Sequence, residues 1–100
     1  MSKVPPLCEV QLENEFFRVT RWTIEPGQTI PMHRHDHEYV VVPLVTQTMH
    51  VTNSDGSEIV AELVEGQSYT RPAGSEHRVE NRNTSQTLVF VEVEHLGQDS

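Results

Sequence analysis

The chain has 100 residues and a formal charge of −8, with fifteen acids against seven lysines and arginines. That length allows one compact core, and a domain of this size buries only about two-thirds of its unfolded surface. The acidic average field, the scattered arginines and the lack of an aromatic series argue against DNA or RNA as partners.

A single cysteine, Cys8, allows no internal disulfide. No apolar run approaches the roughly 20 residues of a membrane span, and the opening Met1-Ser2-Lys3-Val4-Pro5-Pro6 lacks the apolar stretch of a signal peptide. The expectation is a cytoplasmic protein without membrane attachment, made of one domain over residues 1–100, with its core at about 17–93 and flexible termini. Cys8 itself reads as a half-buried small residue.

In chain order, Val10 and Leu12 alternate with Glu9, Gln11 and Glu13, and residues 16–22 alternate again after a break at Asn14, which predicts two successive strands. Pro26-Gly27 predicts a turn, since proline presets one dihedral and glycine accepts the positive φ that follows. A further strand starts near Gln28. Tyr39-Val40-Val41-Val42 reads as a strand buried on both faces, with Pro43 placing a bulge or an edge at its end.

Met49 and Val51 on one side of Asn53-Ser54-Asp55-Gly56-Ser57, and Ile59, Ala61 and Leu63 on the other, predict a β-hairpin. Glu65-Gly66-Gln67 is another turn, and residues 68–71, 77–83 and 87–94 complete the series. Apolar residues nowhere keep a three-and-four spacing for two helical turns, so no helix is expected. Eight to ten short strands in one chain imply a closed barrel or a sandwich.

Four of the six histidines lie in two segments, His33-Arg34-His35-Asp36-His37 and Gly74-Ser75-Glu76-His77. Residues two apart on a strand share a face, so His33 and His35 can aim at one point. Neutral imidazole suits Fe²⁺, Ni²⁺, Mn²⁺ or Zn²⁺, and His77, opening a strand after a Pro-Ala-Gly turn, is the candidate third ligand. Read from spacing alone, the same histidines serve equally well as solvated residues at a loop-to-strand junction.

The company of these histidines weighs on the metal side. Gly27, five residues and then His33-Arg34-His35 resemble the first half of the first motif of the cupin family. Gly66, five residues, Pro72-Ala73-Gly74, two residues, His77, three residues and Asn81 resemble its second motif at every defined position. The resemblance covers residues 17–93 and implies an all-β, double-stranded β-helix (jelly-roll) barrel.

It also implies ligands at His33, His35, residue 39 and His77. Residue 39 is a tyrosine where the family has glutamate, and Thr46 stands where the motif has glycine. A neutral three-histidine site for a divalent ion follows, with Tyr39 pointing inward as a group that meets the ion, its water or the substrate. Glu38 should face the other side of the strand. His37 has ligand parity but falls at a bend.

By analogy with three-histidine cupins, the expected function is a metal-dependent dioxygenase or isomerase acting on a small organic molecule. The alternative is a non-catalytic small-molecule-binding or metal-sensing module. Trp22, Phe16, Phe17 and Phe90 read as core or dimer-interface aromatics, and Asn81 as a residue that fixes a turn. Arg71 and Arg78 read as exposed strand arginines or as clamps for a carboxylate. A short core with open strand edges suggests a homodimer.

Overall fold

The computed structural model describes residues 4–97 and, among them, contains nine strands and no helix. These are β1 (Leu7–Glu13), β2 (Phe17–Ile24), β3 (Thr29–Arg34), β4 (Tyr39–Pro43), β5 (Gln47–Asn53), β6 (Glu58–Leu63), β7 (Tyr69–Arg71), β8 (Glu76–Glu80) and β9 (Leu88–His95). They form two antiparallel sheets, ordered β1-β2-β9-β4-β7 and β3-β8-β5-β6. The expected double-stranded β-helix is thus present. The expectation of flexible termini covers residues outside about 17–93; of these, 1–3 and 98–100 lie outside the described residues, while Leu7–Glu13 forms β1 and β9 runs to His95.

The inner faces of the sheets meet in a core that includes Ile24, Ile30, Val41, Met49, Leu88 and Phe90. Strand alternation produces this, because β4 and β9 turn every second residue inward in register with each other, Val41 opposite Glu92 and Pro43 opposite Phe90. At the Pro26-Gly27 turn the Gln28 N–H donates to the Glu25 carbonyl at 3.0 Å, and Gly27 takes φ 84°, as the sequence predicts. The 53–57 hairpin is also in place, its Asn53 N–H donating to the Ser57 carbonyl at 2.8 Å.

The local expectations fare differently. Pro43 makes no bulge but meets the other alternative, an edge: it is fully buried as the last residue of β4, beyond the stretch where β7 pairs with that strand, so its missing N–H leaves no ladder bond unmade. Cys8 is exposed, because both faces of β1 are open. Of the two readings given to the aromatics, core or dimer interface, Phe16 and Phe17 are exposed and so lie outside the core, whereas Phe90 is buried in it and Trp22, partly buried, packs against it.

The strand expected over residues 77–83 ends at Glu80, because the side chain of Asn81 takes over the bonding. Its amide donates to the carbonyls of Ile24 at 2.8 Å and Gln86 at 2.7 Å, and its oxygen accepts the Asn83 N–H at 2.9 Å. Asn81 is 1% exposed, so these groups have no water to fall back on. Asn81→Ala is expected to cost about 2 kcal/mol in urea unfolding, the scale of a buried polar cluster left without its partner.

No helix in the described residues is long and apolar enough to cross a membrane.

Candidate metal centre

The site begins with an irregularity in β3. The register with β8 shifts between Ile30 and His33, so Ile30 enters the core and His33, an odd number of residues later, also turns inward. His33 then lies opposite His77 on β8. His35 follows just beyond the end of β3 and is held by two backbone bonds to the turn before β8. Its N–H donates to the Ser75 carbonyl at 2.9 Å, and its carbonyl accepts the Gly74 N–H at 2.7 Å. Gly74 reaches that geometry at φ 90°, which is open to glycine and strained for other residues.

The three rings converge. Their potential ligand nitrogens all lie within 4.8 Å of one another, and His33 Nε2 is 2.9 Å from His35 Nε2. The ring centroids are 4.7 to 5.1 Å apart in edge-on arrangements. Nitrogens bound to one tetrahedral zinc sit about 3.3 Å apart, given Zn–N lengths of about 2.0–2.1 Å. The cluster is therefore of ligand size.

Its protonation suits a cation as well. His33 Nδ1 lies 2.7 Å from the Pro31 carbonyl, which can only accept, so Nδ1 carries a proton and Nε2 is the nitrogen that faces His35. Burial, reinforced by the neighbouring His33, pushes His35 down to about 4 and His77 down to about 3. Both rings are neutral at pH 7. His77, 5% exposed, leaves both ring nitrogens buried with no hydrogen-bond partner, an arrangement a bound ion would relieve. On this observation the three residues fit a divalent metal.

Tyr39, 1% exposed, stacks on the His35 ring with centroids 4.0 Å apart and planes 23° from parallel. Burial holds its phenol protonated well above the ordinary range. Glu38 is exposed, as its parity requires, and His37 lies outside the cluster. Arg78 points away from the histidines, its Nη2 3.4 Å from Thr52 Oγ1.

Tyr39 and His77 also line a cavity of about 60 Å³, whose apolar wall includes Val41, Met49, Val51 and Phe90. Tyr69, Arg71 and Glu92 complete its polar lining.

Glu92 escaped the sequence reading. It is buried on β9 and accepts the indole N–H of Trp22 at 3.2 Å. Burial raises its carboxyl to about 7, with nearby Glu94 adding to the effect and the Trp22 bond opposing it. The available signal was parity: if Phe90 faces inward, Glu92 and Glu94 must follow. Glu94 is instead neutralised, its two oxygens accepting Arg18 Nε at 2.7 Å and Nη2 at 3.1 Å.

Two antiparallel sheets enclosing a cavity that His77 lines, with His33 and His35 in ligand range of it, define a double-stranded β-helix protein with a potential metal site. The family model of the cupin domain matches residues 20–94, and the chain belongs to that family. It is 45% identical over 85 residues to the β-alanine degradation protein BauB of Pseudomonas aeruginosa, covering 85% of this chain and 87% of that protein.

Among solved structures, a cupin domain from Bordetella pertussis superposes with a TM-score of 0.88 at 39% identity, covering 95% of this chain and 97% of the other. A conserved Klebsiella pneumoniae protein with a double-stranded β-helix domain gives 0.76 at 26% identity, covering 100% and 84%.

Proposed function

We propose that this chain is a metal-dependent enzyme whose divalent ion is held by His33, His35 and His77 and whose substrate is a small organic molecule formed in β-alanine breakdown. The observation that carries the reading is the pair of orphaned ring nitrogens of buried His77, set among two further imidazoles in ligand range. The relative's name supplies the metabolic setting, and its 45% identity over most of both chains supports the transfer.

A bound divalent ion supplies a positive charge that polarises a substrate oxygen and leaves coordination positions open. The chain's own residues do the rest. Glu92, near half-protonation at neutral pH, takes or returns a proton inside the cavity, where general acid–base catalysis works best. Tyr39 stays protonated, serves as a hydrogen-bond donor and fixes the plane of His35. The apolar wall limits water around the reacting group.

Dioxygenation and isomerisation are the two reactions this set of groups supports. Oxygen uptake by Fe²⁺-loaded protein, followed over a panel of small acids, enols and β-dicarbonyls, identifies the first. Exchange of substrate carbon-bound protons with D₂O identifies the second. Silence in both assays with metal bound leaves a ligand-binding module. Metal analysis of the purified protein tests the foundation, since less than about a tenth of an equivalent with no uptake of Fe²⁺, Ni²⁺, Mn²⁺ or Zn²⁺ ends the proposal.

A homodimer belongs to the same reading. β1 is an edge strand with all seven residues exposed, among them Leu7, Val10 and Leu12, a surface that a second copy would cover. Light scattering is expected to return twice the chain mass, and a monomer at micromolar concentration would refute this.

A further inference from the structure

We infer that Arg71 anchors a carboxylate in the cavity that His77 also lines, so that the ligand is a short acid with its charged end on the guanidinium and its other polar group toward His77 and the histidine cluster behind it. This rests on the metal reading above for the second contact only. The first contact follows from how the charges of the inner sheet are distributed.

β7 is three residues long and alternates a half-buried Tyr69, an exposed Thr70 and a half-buried Arg71. Both half-buried side chains line the cavity. Across the sheet, Arg71 lies opposite Tyr39, and Tyr39 lies opposite Glu94. Two strand spacings of about 4.8 Å therefore separate Arg71 from Glu94. Glu94 is already held by two donors of Arg18, on its other side. Glu92, the other inward acid of β9, accepts from Trp22 and pairs with Val41, one row further along.

Both interior carboxylates are thus occupied. Among the described residues the Arg71 guanidinium, on a backbone paired with Tyr39, has no side-chain hydrogen bond and no ion pair, although its charge is felt by His35, Tyr39, Tyr69 and His77. A guanidinium carries five donors in a planar fork matched to a carboxylate, so one left open onto a cavity selects for that group. The acidic chain as a whole would repel an anion, which makes a local cation necessary for binding one.

Size narrows the class further. A dry cavity of about 150 Å³ accepts benzene, so about 60 Å³ admits a chain of few heavy atoms. A substituted three-carbon acid has as many heavy atoms as benzene, so the cavity takes its carboxylate end and the rest of such an acid extends beyond it toward His77.

The test is calorimetric titration of Co²⁺-loaded protein with 3-hydroxypropionate and with its uncharged isostere 3-hydroxypropanamide, in wild type, Arg71→Met and Arg71→Lys. Wild type should bind the acid at least about 10-fold more tightly than the amide. Arg71→Met should weaken the acid about 10- to 100-fold, the loss of a charge-assisted pair, with amide binding and Co²⁺ stoichiometry unchanged. Arg71→Lys should fall between, because it keeps the charge and loses the fork.

Far-UV circular dichroism checks that each variant is folded. Equal acid affinity in wild type and a folded Arg71→Met, equal affinity for acid and amide, or no binding of the acid to wild type would overturn the assignment. If wild type takes up no Co²⁺, the histidine reading fails separately, and the same titration of metal-free protein decides the role of Arg71.

Discussion

Metal-free protein mixed with Ni²⁺ or Zn²⁺ at about a thousand times the dissociation constant should gain about 4 kcal/mol of stability, since a ligand that binds only the folded state adds RT ln(1 + [L]/Kd). For a chain of 100 residues this corresponds to a rise in Tm of roughly 15–30 °C, at about 4–8 °C per kcal/mol. The gain is large because the site exists only when β3, the turn before β8 and β8 itself are assembled, so unfolding disperses the ligands.

His35→Ala removes one of the three proposed ligands and should abolish the shift, as should excess EDTA. Differential scanning fluorimetry at fixed protein concentration measures both. An equal shift in wild type and His35→Ala would place the ion elsewhere, and no shift in wild type would remove the metal from the proposal.

The second large effect concerns Glu92. Its carboxyl titrates at about 7 in the folded chain and near the ordinary 4.5 when unfolded. Between these values the native state holds a proton that the unfolded state has released. Its stability contribution is therefore full below about 4.5 and is lost as pH rises through about 7.

Complete loss corresponds to about 3 kcal/mol. Gln is neutral, nearly the same shape, and keeps an oxygen for the Trp22 indole. Glu92→Gln should match wild type near pH 4 and exceed its stability by about 3 kcal/mol at pH 8.5, read from urea unfolding at both values. The buried histidines are common to both chains and cancel in the difference.

Trp22, the only tryptophan, offers an independent readout, because its indole donates to this carboxylate. Its fluorescence should titrate with a midpoint near 7 in wild type and stay flat in the variant. Under the proposed function the same substitution should lower turnover about 10²- to 10⁴-fold, the usual contribution of a positioned acid–base group. A stability difference independent of pH would show that Glu92 is not held near neutrality.

The strands, the turns and the histidine pair were legible because each is a local property. Alternation of apolar and polar residues needs only neighbours in sequence, and the Pro26-Gly27 turn needs only the φ preferences of two residues. Asn81 was legible as a bond-forming residue, although its capture of the Ile24 and Gln86 carbonyls, which ends β8 early, was not.

β9 shows the limit most clearly. Leu88-Val89-Phe90-Val91-Glu92-Val93-Glu94 offers valines on one face and a mixed series on the other, and apolar preference alone would send the valines inward. The structure chooses the opposite face. Phe90 and Leu88 fill the core, while Arg18 and Trp22 on the adjacent strand satisfy the two acids drawn in with them.

The amino-acid order by itself determined the periods, the turn positions and which residues carry ligand chemistry, because these depend on backbone geometry within a few residues. The tertiary structure alone decided that His77 meets His33 and His35, that the β3 irregularity turns His33 inward beside Ile30, and that Glu92 is held near neutrality while Arg71 stays unpaired. Those outcomes depend on burial and on partners far apart in the chain, whose electrostatic and packing energies arise only once the two sheets close on each other.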